Sequence, residues 1–197
     1  MFAIFAVFFL NASTAHSYFL IEPYAGYSTV LTDVTLGDAA GQLSGQMVKL
    51  DGSGIGFGLR VGFTIPMFFA ALDYSNDSLK QSIKEQPAGA GLTTSDQAVT
   101  SLGVTLGSDL GLVRPYFGYI FDDKTKDDSS TRYGTGFKLG IGFGFIPKVN
   151  VNAEYVTKKI TKSKNNSGVE SNIEQANIFK SITTSGIFIN VSVPLEL

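Results

Sequence analysis

The segment I-G-F-G-L-R-V-G-F-T-I, at Ile55–Ile65, alternates two kinds of side chain and decides the fold class. One set of alternate residues is large and apolar, whereas the other consists of three glycines, Arg60 and Thr64. Successive side chains of a β-strand point to opposite faces of the sheet, so this strand has one apolar face and one face of small and polar residues. The same alternation returns at Tyr133–Phe145, where glycines surround Lys138.

The glycine-rich face is expected to point inward. On a half-buried strand of a soluble protein the polar face meets water and carries mainly Lys, Glu and Thr, but here it is mostly glycine. Glycine weakens a strand unless another group needs its space, so glycines around one long charged side chain indicate a narrow, crowded interior. The apolar face then meets lipid, and such a sheet must close on itself because hydrocarbon cannot satisfy an open edge. We therefore predict an all-β fold, an antiparallel up-and-down transmembrane β-barrel.

Eight strands of this kind are predicted between Phe19 and Leu195, and their connections alternate between long and short. The predicted long loops are 30–53, 76–97, 122–132 and 158–180, and the short turns lie at Pro66–Met67, 108–112 and Pro147. Long outer loops and short periplasmic turns are typical of outer-membrane barrels, and outward aromatic residues near both strand ends predict two interfacial belts. Pro23 in the first strand lacks a hydrogen-bond donor and is predicted to mark a β-bulge.

The N-terminus predicts export. Residues 1–10 are nearly all apolar and 11–17 are small and polar, which indicates a signal peptide at 1–17 and a barrel at 18–197, although no Lys or Arg precedes the apolar run. A membrane anchor is excluded by length, since a spanning helix needs about 20 apolar residues. The net charge of −2 argues against a nucleic-acid partner. The absence of cysteine excludes disulfides, thiolate metal sites and a catalytic thiol.

An internal repeat and the strand pattern together point to a family. E-P-Y-A-G-Y at Glu22–Tyr27 is similar to R-P-Y-F-G-Y at Arg114–Tyr119, and the glycine-rich strands that end at Pro66 and Pro147 are similar to each other. Two copies of a four-strand unit, or convergent strand patterning, would produce this similarity. With these motifs and an alternating C-terminal strand, residues 19–197 resemble the small eight-stranded outer-membrane proteins, the group that contains the OmpA transmembrane domain and OmpW.

This resemblance implies a location in the outer membrane, with membrane lipids and lipopolysaccharide as neighbours. It also implies that the barrel-assembly machinery recognises the last strand during insertion. That strand commonly ends in an aromatic residue in the family, whereas this chain ends in Leu197. A homo-oligomer in the membrane plane is a further possible assembly, because the apolar outer face packs equally well against lipid or against a neighbouring copy.

Charged residues are predicted on the inner face in equal numbers of each sign. The six residues are Glu22, Arg60, Asp73, Arg114, Lys138 and Glu154. The interior of an eight-stranded barrel is just wide enough for side chains to fill, and buried charges cost several kcal/mol each unless they are paired. We therefore expect Arg60 and Lys138 to bridge to the carboxylates across the lumen and close it. The alternative is that some of the six lie at the barrel rims in water.

These observations predict a non-enzymatic outer-membrane protein, structural or surface-interacting through its long loops. The first alternative is a small porin-like channel for ions or small solutes, and the second is a soluble lipocalin-like ligand carrier with the apolar face inside. No catalytic residue is predicted, because the only histidine is His16, within the presumed signal peptide, and serine hydrolases need such a base.

No metal or cofactor site is predicted either. The segment D-D-K-T-K-D-D at 122–128 lacks the glycine and ligand spacing of a calcium loop. A solvated loop is the favoured interpretation of Lys158, Lys159, Lys162 and Lys164, and contact with lipopolysaccharide phosphates is the alternative.

Overall fold

The computed structural model describes residues 17–89, 96–128, 130–146, 148–165, 167–173 and 179–197. The strands within these ranges are β1 (Tyr18–Leu36), β2 (Met47–Ile65), β3 (Phe68–Glu85), β4 (Gln97–Ser108), β5 (Val113–Lys126), β6 (Ser130–Ile146), β7 (Val149–Asn165), β8 (Glu170–Asn172), β9 (Phe179–Ser192) and β10 (Leu195–Glu196). A short 3-10 helix, Asp38–Leu43, lies between β1 and β2. Within the described ranges, no helix is long and apolar enough to cross a membrane.

Eight of these strands close into a ring. Each strand from β1 to β7 pairs antiparallel with the next, and β9 pairs with both β7 and β1. The short β8 extends the edge of β7, and β10 continues β9 along the start of β1. The predicted eight-stranded, antiparallel, up-and-down barrel is therefore confirmed.

The two faces of β2 point as predicted. Ile55, Phe57 and Phe63 are 71%, 60% and 61% exposed on the outer face, whereas Arg60 on the inner face is fully buried. The outward apolar stretch has about the length, 9–11 residues, that a tilted strand needs to cross a bilayer. A lipocalin-like carrier would need these apolar side chains inside the barrel. They lie outside in this part of the barrel, so the lipocalin-like alternative is wrong.

Pro23 does not mark a bulge. The register between β1 and β2 continues without a shift through the pair Pro23–Leu59. The interruption lies in the neighbouring strand, where Val193 and Pro194 separate β9 from β10 and the Val193 N–H still donates to the Pro23 carbonyl oxygen (3.1 Å). Proline removes a donor from the ladder, so pairing lapses locally while the strands keep their register.

The strands continue well into segments predicted to be loops. β1 runs to Leu36, β2 begins at Met47, β3 runs to Glu85 and β7 runs to Asn165, while 122–132 is largely strand. Beyond the apolar band the alternation persists but its polarity is reversed, with apolar side chains inside. The buried cluster there consists of Val34, Leu36, Val48, Leu50, Ile160, Ile173 and Ile182.

The outer faces of these extensions are polar and charged. Lys49 of β2 and Glu85 of β3 form an ion pair at 2.8 Å, and Ala40 and Leu43 of the 3-10 helix pack against the buried cluster. The outer end of the barrel thus has the apolar interior and charged exterior of a water-soluble barrel. The loops are shorter than predicted, because the polar outward face of these segments was interpreted as the absence of a strand.

The short turns lie where the sequence placed them. Met67, after Pro66, has φ = +71°, and Lys148 at the corresponding turn has φ = +66°. A type II turn requires a positive φ at its third residue and commonly has proline at its second. Pro147 lies outside the described residues, as do the side chain of Phe145 and residues 1–16, so the signal peptide at 1–17 stays a prediction.

Candidate functional site: the lumen network

The charged residues predicted for the inner face are brought together around Arg60. Its guanidinium contacts three carboxylates from three different strands: Nη1 lies 3.3 Å from Glu22 Oε1, Nε 3.2 Å from Asp73 Oδ2, and Nη2 2.5 Å from Glu154 Oε1. Arg60 and Glu22 are 0% exposed and Glu154 is 1% exposed. This cation therefore sits at the centre of the barrel cross-section.

Two further cations complete the set. Lys138 Nζ lies 2.8 Å from Asp73 Oδ2 and 3.4 Å from Glu154 Oε2, and Arg114 Nη1 lies 2.9 Å from Glu22 Oε2. Each of the six residues is less than 9% exposed, so none lies at a rim in water. We call these six residues and their hydrogen-bond partners the lumen network.

Neutral donors hold the two central carboxylates. The Tyr24 and Thr105 hydroxyls donate to Asp73 at 2.6 and 2.9 Å. The Tyr116 hydroxyl and the Asn190 amide donate to Glu154 at 2.7 and 2.9 Å. The strand pattern places Tyr24, Thr105 and Tyr116 on the inner face, as observed, but none of the four was predicted as a donor. The two tyrosines occupy the same place in the repeated P-Y-x-G-Y motif.

The two tyrosines lie flat against glycines on neighbouring strands. Tyr24 is paired with Gly58 and Tyr116 with Gly140, and a Cβ at either glycine would overlap the tyrosine ring. The Arg60 guanidinium lies between the rings, 4.7 Å from the Tyr24 centroid and 4.6 Å from the Tyr116 centroid. Cation–π attraction is strongest for such desolvated cations. The glycines of the inner face thus make room for rings that hold the central cation.

The network repeats with the internal repeat of the sequence. Asp73 and Glu154 occupy equivalent positions in β3 and β7, each the sixth residue of its strand. Each accepts a hydrogen bond from a tyrosine hydroxyl of the strand two before it. Each also accepts one from the next strand of the ring, which is β4 for Asp73 and β9 for Glu154. The central cations do not repeat, because Arg60 stands where the other half has Gly140, and Lys138 where it has Gly58.

On the side of the short turns, the network is bordered by an apolar layer. Leu20, Phe69 and Ala71 pack with Tyr116 near the short turns, and each is less than 9% exposed. The Arg114 guanidinium lies 3.9 Å above the Phe69 ring centroid. Below Arg60 the barrel is therefore filled by packed side chains.

The outer side of the network opens into a small chamber of about 70 Å³, which polar and apolar side chains line together. Tyr24, Lys138 and Glu154 form part of its lining, and Ile160 and Ile182 of the apolar cluster form another part. Because a buried water needs at least about 10–15 Å³ of such volume, the chamber has room for several waters.

A second ion pair, missed in the sequence, lines this chamber. Lys158 Nζ lies 2.6 Å from Asp123 Oδ1, and the Ser101 hydroxyl donates to the same oxygen at 2.6 Å. Asp123 is fully buried because two residues of β5, Phe121 and Asp122, form a bulge that turns it inward. Lys158 was predicted to lie in a solvated loop, and this is wrong, since it faces the lumen from β7.

Comparison with known proteins identifies the fold. No family model and no curated protein matches the chain. The outer-membrane protein OprG from Pseudomonas aeruginosa aligns with a TM-score of 0.50 and 12% identity, over 92% of this chain and 98% of that one. Ail of Yersinia pestis, in complex with the heparin analogue sucrose octasulfate, aligns with 0.50 and 12%, over 90% and 99%. Neisserial surface protein A aligns with 0.49 and 18%, over 90% and 98%.

At these identities the likeness concerns the fold. The chain has the fold of the small eight-stranded outer-membrane β-barrels, as the sequence predicted. The apolar outer band of Ile55–Ile65 and its neighbours gives this fold a lipid-facing surface. Together they place the chain in the outer membrane.

Proposed function

We propose that this chain is a non-enzymatic outer-membrane barrel whose lumen is closed by the lumen network. Its activity would then lie in the part that stands above the membrane, in a structural or surface-interacting role. The observation that carries the proposal is the position of Arg60 on β2, where it is fully buried and bonded to carboxylates from β1, β3 and β7. A side chain with these contacts spans the cross-section of the barrel.

The charge balance of the network supports closure. Three cations face three carboxylates within 3.4 Å, so the network holds no excess charge that would attract a permeating ion. Removing one partner of a buried pair costs about 3–5 kcal/mol, which opposes any opening that separates the pairs. The apolar layer of Leu20 and Phe69 closes the same path on the periplasmic side.

The absence of enzymatic activity is part of the proposal. The described ranges contain no histidine, and the two central carboxylates are held by cations and neutral donors. Carboxylates engaged in this way serve the pairing of buried charges, which supports a structural role for them. Recognition of the last strand by the assembly machinery and lateral homo-oligomers stay predictions from the sequence.

Planar-bilayer recording of the purified, folded protein tests the closed lumen. The natural chain is expected to show no steady conductance, whereas the neutral double variant Arg60→Ser/Glu154→Ser removes the central bridge and is expected to conduct. The double variant Asp123→Ser/Lys158→Ser is the control, because it makes the same charge change in the chamber and leaves the network intact. Steady conductance of the natural chain, or equal conductance of both variants, would contradict closure.

A small channel is the second candidate. The chamber favours it, because a space of about 70 Å³ lined in part by Lys138 and Glu154 would serve as a vestibule. For a channel, the natural chain would conduct and the network would rearrange during permeation. The same recordings therefore decide between the two functions.

A further inference from the structure

Five lysines lie above the apolar band on the outer face of β5 and β7, the two strands that flank β6. These residues, which we call the lysine face, are Lys124 and Lys126 of β5 and Lys159, Lys162 and Lys164 of β7. All five are exposed. Because the whole chain has a net charge of −2, this concentration of positive charge is local.

The register arranges four of these lysines in two rows across β6. Tyr133 is paired with Lys124 on one side and Lys162 on the other. In the next row, Thr131 is paired in the same way with Lys126 and Lys164. Directly paired residues have Cβ atoms about 4.5–5.5 Å apart, so each row presents two ammonium groups around one small or aromatic residue.

Two bulges bring these four lysines to the outside. In β5 the even-numbered residues up to Ile120 face inward, and the bulge at Phe121–Asp122 reverses the order so that Lys124 faces outward. In β7 the inward series ends at Ile160, and the bulge at Thr161 turns Lys162 outward. Bulges re-aim side chains in this way. Without them, both strands would direct these lysines into the lumen.

Both walls of the barrel carry lysine–carboxylate pairs above the apolar band. On the opposite wall, Lys49 pairs with Glu85 at 2.8 Å and Lys84 with Asp51 at 3.8 Å. The hydrogen bond to Glu85 raises the pKa of Lys49 above its ordinary value, and the hydrogen bond to Asp122 raises the pKa of Lys124 on the lysine face in the same way.

The lysine face also has acidic neighbours. Asp122 bonds to Lys124 at 2.9 Å, and Glu170 of β8 lies opposite Lys164 in the register. Asp127 at the tip of the β5–β6 hairpin bonds to Arg132. The ammonium groups of one row repel each other across β6, so an anionic ligand that contacts both would offset this repulsion.

The height of the lysine face indicates what that partner is. Phe121 of β5 and Tyr155 of β7 lie on the outer surface, 43% and 51% exposed, just below the lysines. Tyr133 stands within the first row. Outward aromatic residues of this kind mark the border between hydrocarbon and headgroups. The lysine face therefore begins at headgroup level on the side wall of the barrel.

We propose that the lysine face binds the phosphate groups of a phosphorylated glycolipid in the outer leaflet. Lysine ammonium groups are established phosphate ligands, and two rows of them give several contacts to one headgroup while the acyl chains lie against the apolar band. The inference rests on the proposed membrane function and names the lipid class and the face that binds it. It corrects the sequence alternative in two respects, because Lys158 is excluded and the two β5 lysines are added.

The test uses the full chain refolded in detergent, with diphosphorylated lipid A as the probe and native mass spectrometry to measure retained lipid. The variant Lys126→Gln/Lys162→Gln/Lys164→Gln removes three charges from the lysine face. The control Lys49→Gln/Lys80→Gln/Lys84→Gln removes three exposed charges from the opposite wall. Because each surface lysine contributes roughly a fivefold factor to the binding of anionic lipid, we expect retention to fall by about 100-fold for the first variant and by less than about threefold for the control.

Two further arms identify the ligand group. Enzymatically dephosphorylated lipid A is expected to show the same weak retention with all three proteins, and heparin is used as a soluble sulfated polysaccharide. Equal loss of lipid A in both triple variants would overturn the proposal, as would equal retention of the dephosphorylated lipid. Heparin binding that depends on the lysine face while lipid A binding does not would assign the face to a soluble polyanion instead.

The same samples distinguish failure of the proposed membrane function from failure of the lysine-face inference. Folded outer-membrane barrels migrate differently on gels before and after heating, and only preparations with this shift enter the comparison. If the natural chain folds only in aqueous buffer and never in detergent or lipid, the membrane function is wrong. If all three proteins fold in lipid and lipid A retention does not depend on the lysine face, only this inference is wrong.

Discussion

Replacing Arg60 by methionine is expected to lower the free energy of unfolding by about 3–5 kcal/mol, the cost of breaking a buried ion pair from one side. Methionine keeps most of the volume, so the loss is mainly electrostatic. In the natural chain three cations face three carboxylates, and in the variant two cations remain for three carboxylates. Lys138, 2.8 Å from Asp73 and 3.4 Å from Glu154, would then have to serve both groups.

The assay is urea unfolding in lipid vesicles, followed by the heat-dependent gel shift. A second substitution, Glu154→Gln, restores the charge balance, so the double variant is expected to lose about 2 kcal/mol less than the sum of the single variants. Lys49→Met is the control, because this exposed lysine pairs with Glu85 outside the network and its loss is expected to cost about 1 kcal/mol or less. An Arg60→Met variant within about 0.5 kcal/mol of the natural chain, or strict additivity in the cycle, would refute the coupled network.

Two further substitutions test the faces of the barrel. Leu59→Arg, on the outer face, is expected to cost about 2–4 kcal/mol in the same unfolding assay, and a silent substitution would show that this position does not meet lipid. Gly140→Ala places a methyl group into the Tyr116 ring and is expected to cost about 1–3 kcal/mol through overpacking. Gly144→Ala in the same strand is the control, because a Cβ added there would lie 3.0 Å from the Asn150 amide oxygen and would meet no ring. Equal losses of stability for both variants would contradict the packing of the Tyr116 ring on Gly140.

The inner charges could be predicted because they depend only on the period of a strand. Once the glycine-rich face of β2 is assigned inward, Arg60 must point into the lumen, and the same parity places Lys138 and Glu154 there. Their mutual distances follow from the small diameter of an eight-stranded barrel, which leaves few alternative partners for a buried charge. The neutral donors, such as Asn190, could not be predicted in this way, because their partners depend on how neighbouring strands are staggered.

The pair Asp123–Lys158 shows where the period of a strand is insufficient. A bulge changes the inward parity from even to odd residues, and nothing in D-D-K-T-K-D-D announces it. The lengths of the strands were predicted wrongly for a different reason. T-D-V-T-L at 32–36 and V-K-L at 48–50 do alternate, but with the apolar set on the face that is polar further down.

This reversal of polarity within one strand explains why the chamber lies where it does. In β1, Tyr24 and Ser28 point into a polar interior beside lipid, whereas Val34 and Leu36 point into an apolar interior beside water. Over the same residues the outer face changes from lipid-facing to water-facing. The hydrogen bonds between β1 and β2 continue without a break, so only the surroundings of the strands change. Between the two interiors, side chains such as Lys158 and Asp123 belong to neither the charged network nor the apolar cluster. Polar groups in that position need either each other or water, so a small hydrated space is the expected packing at the level where the barrel leaves the membrane.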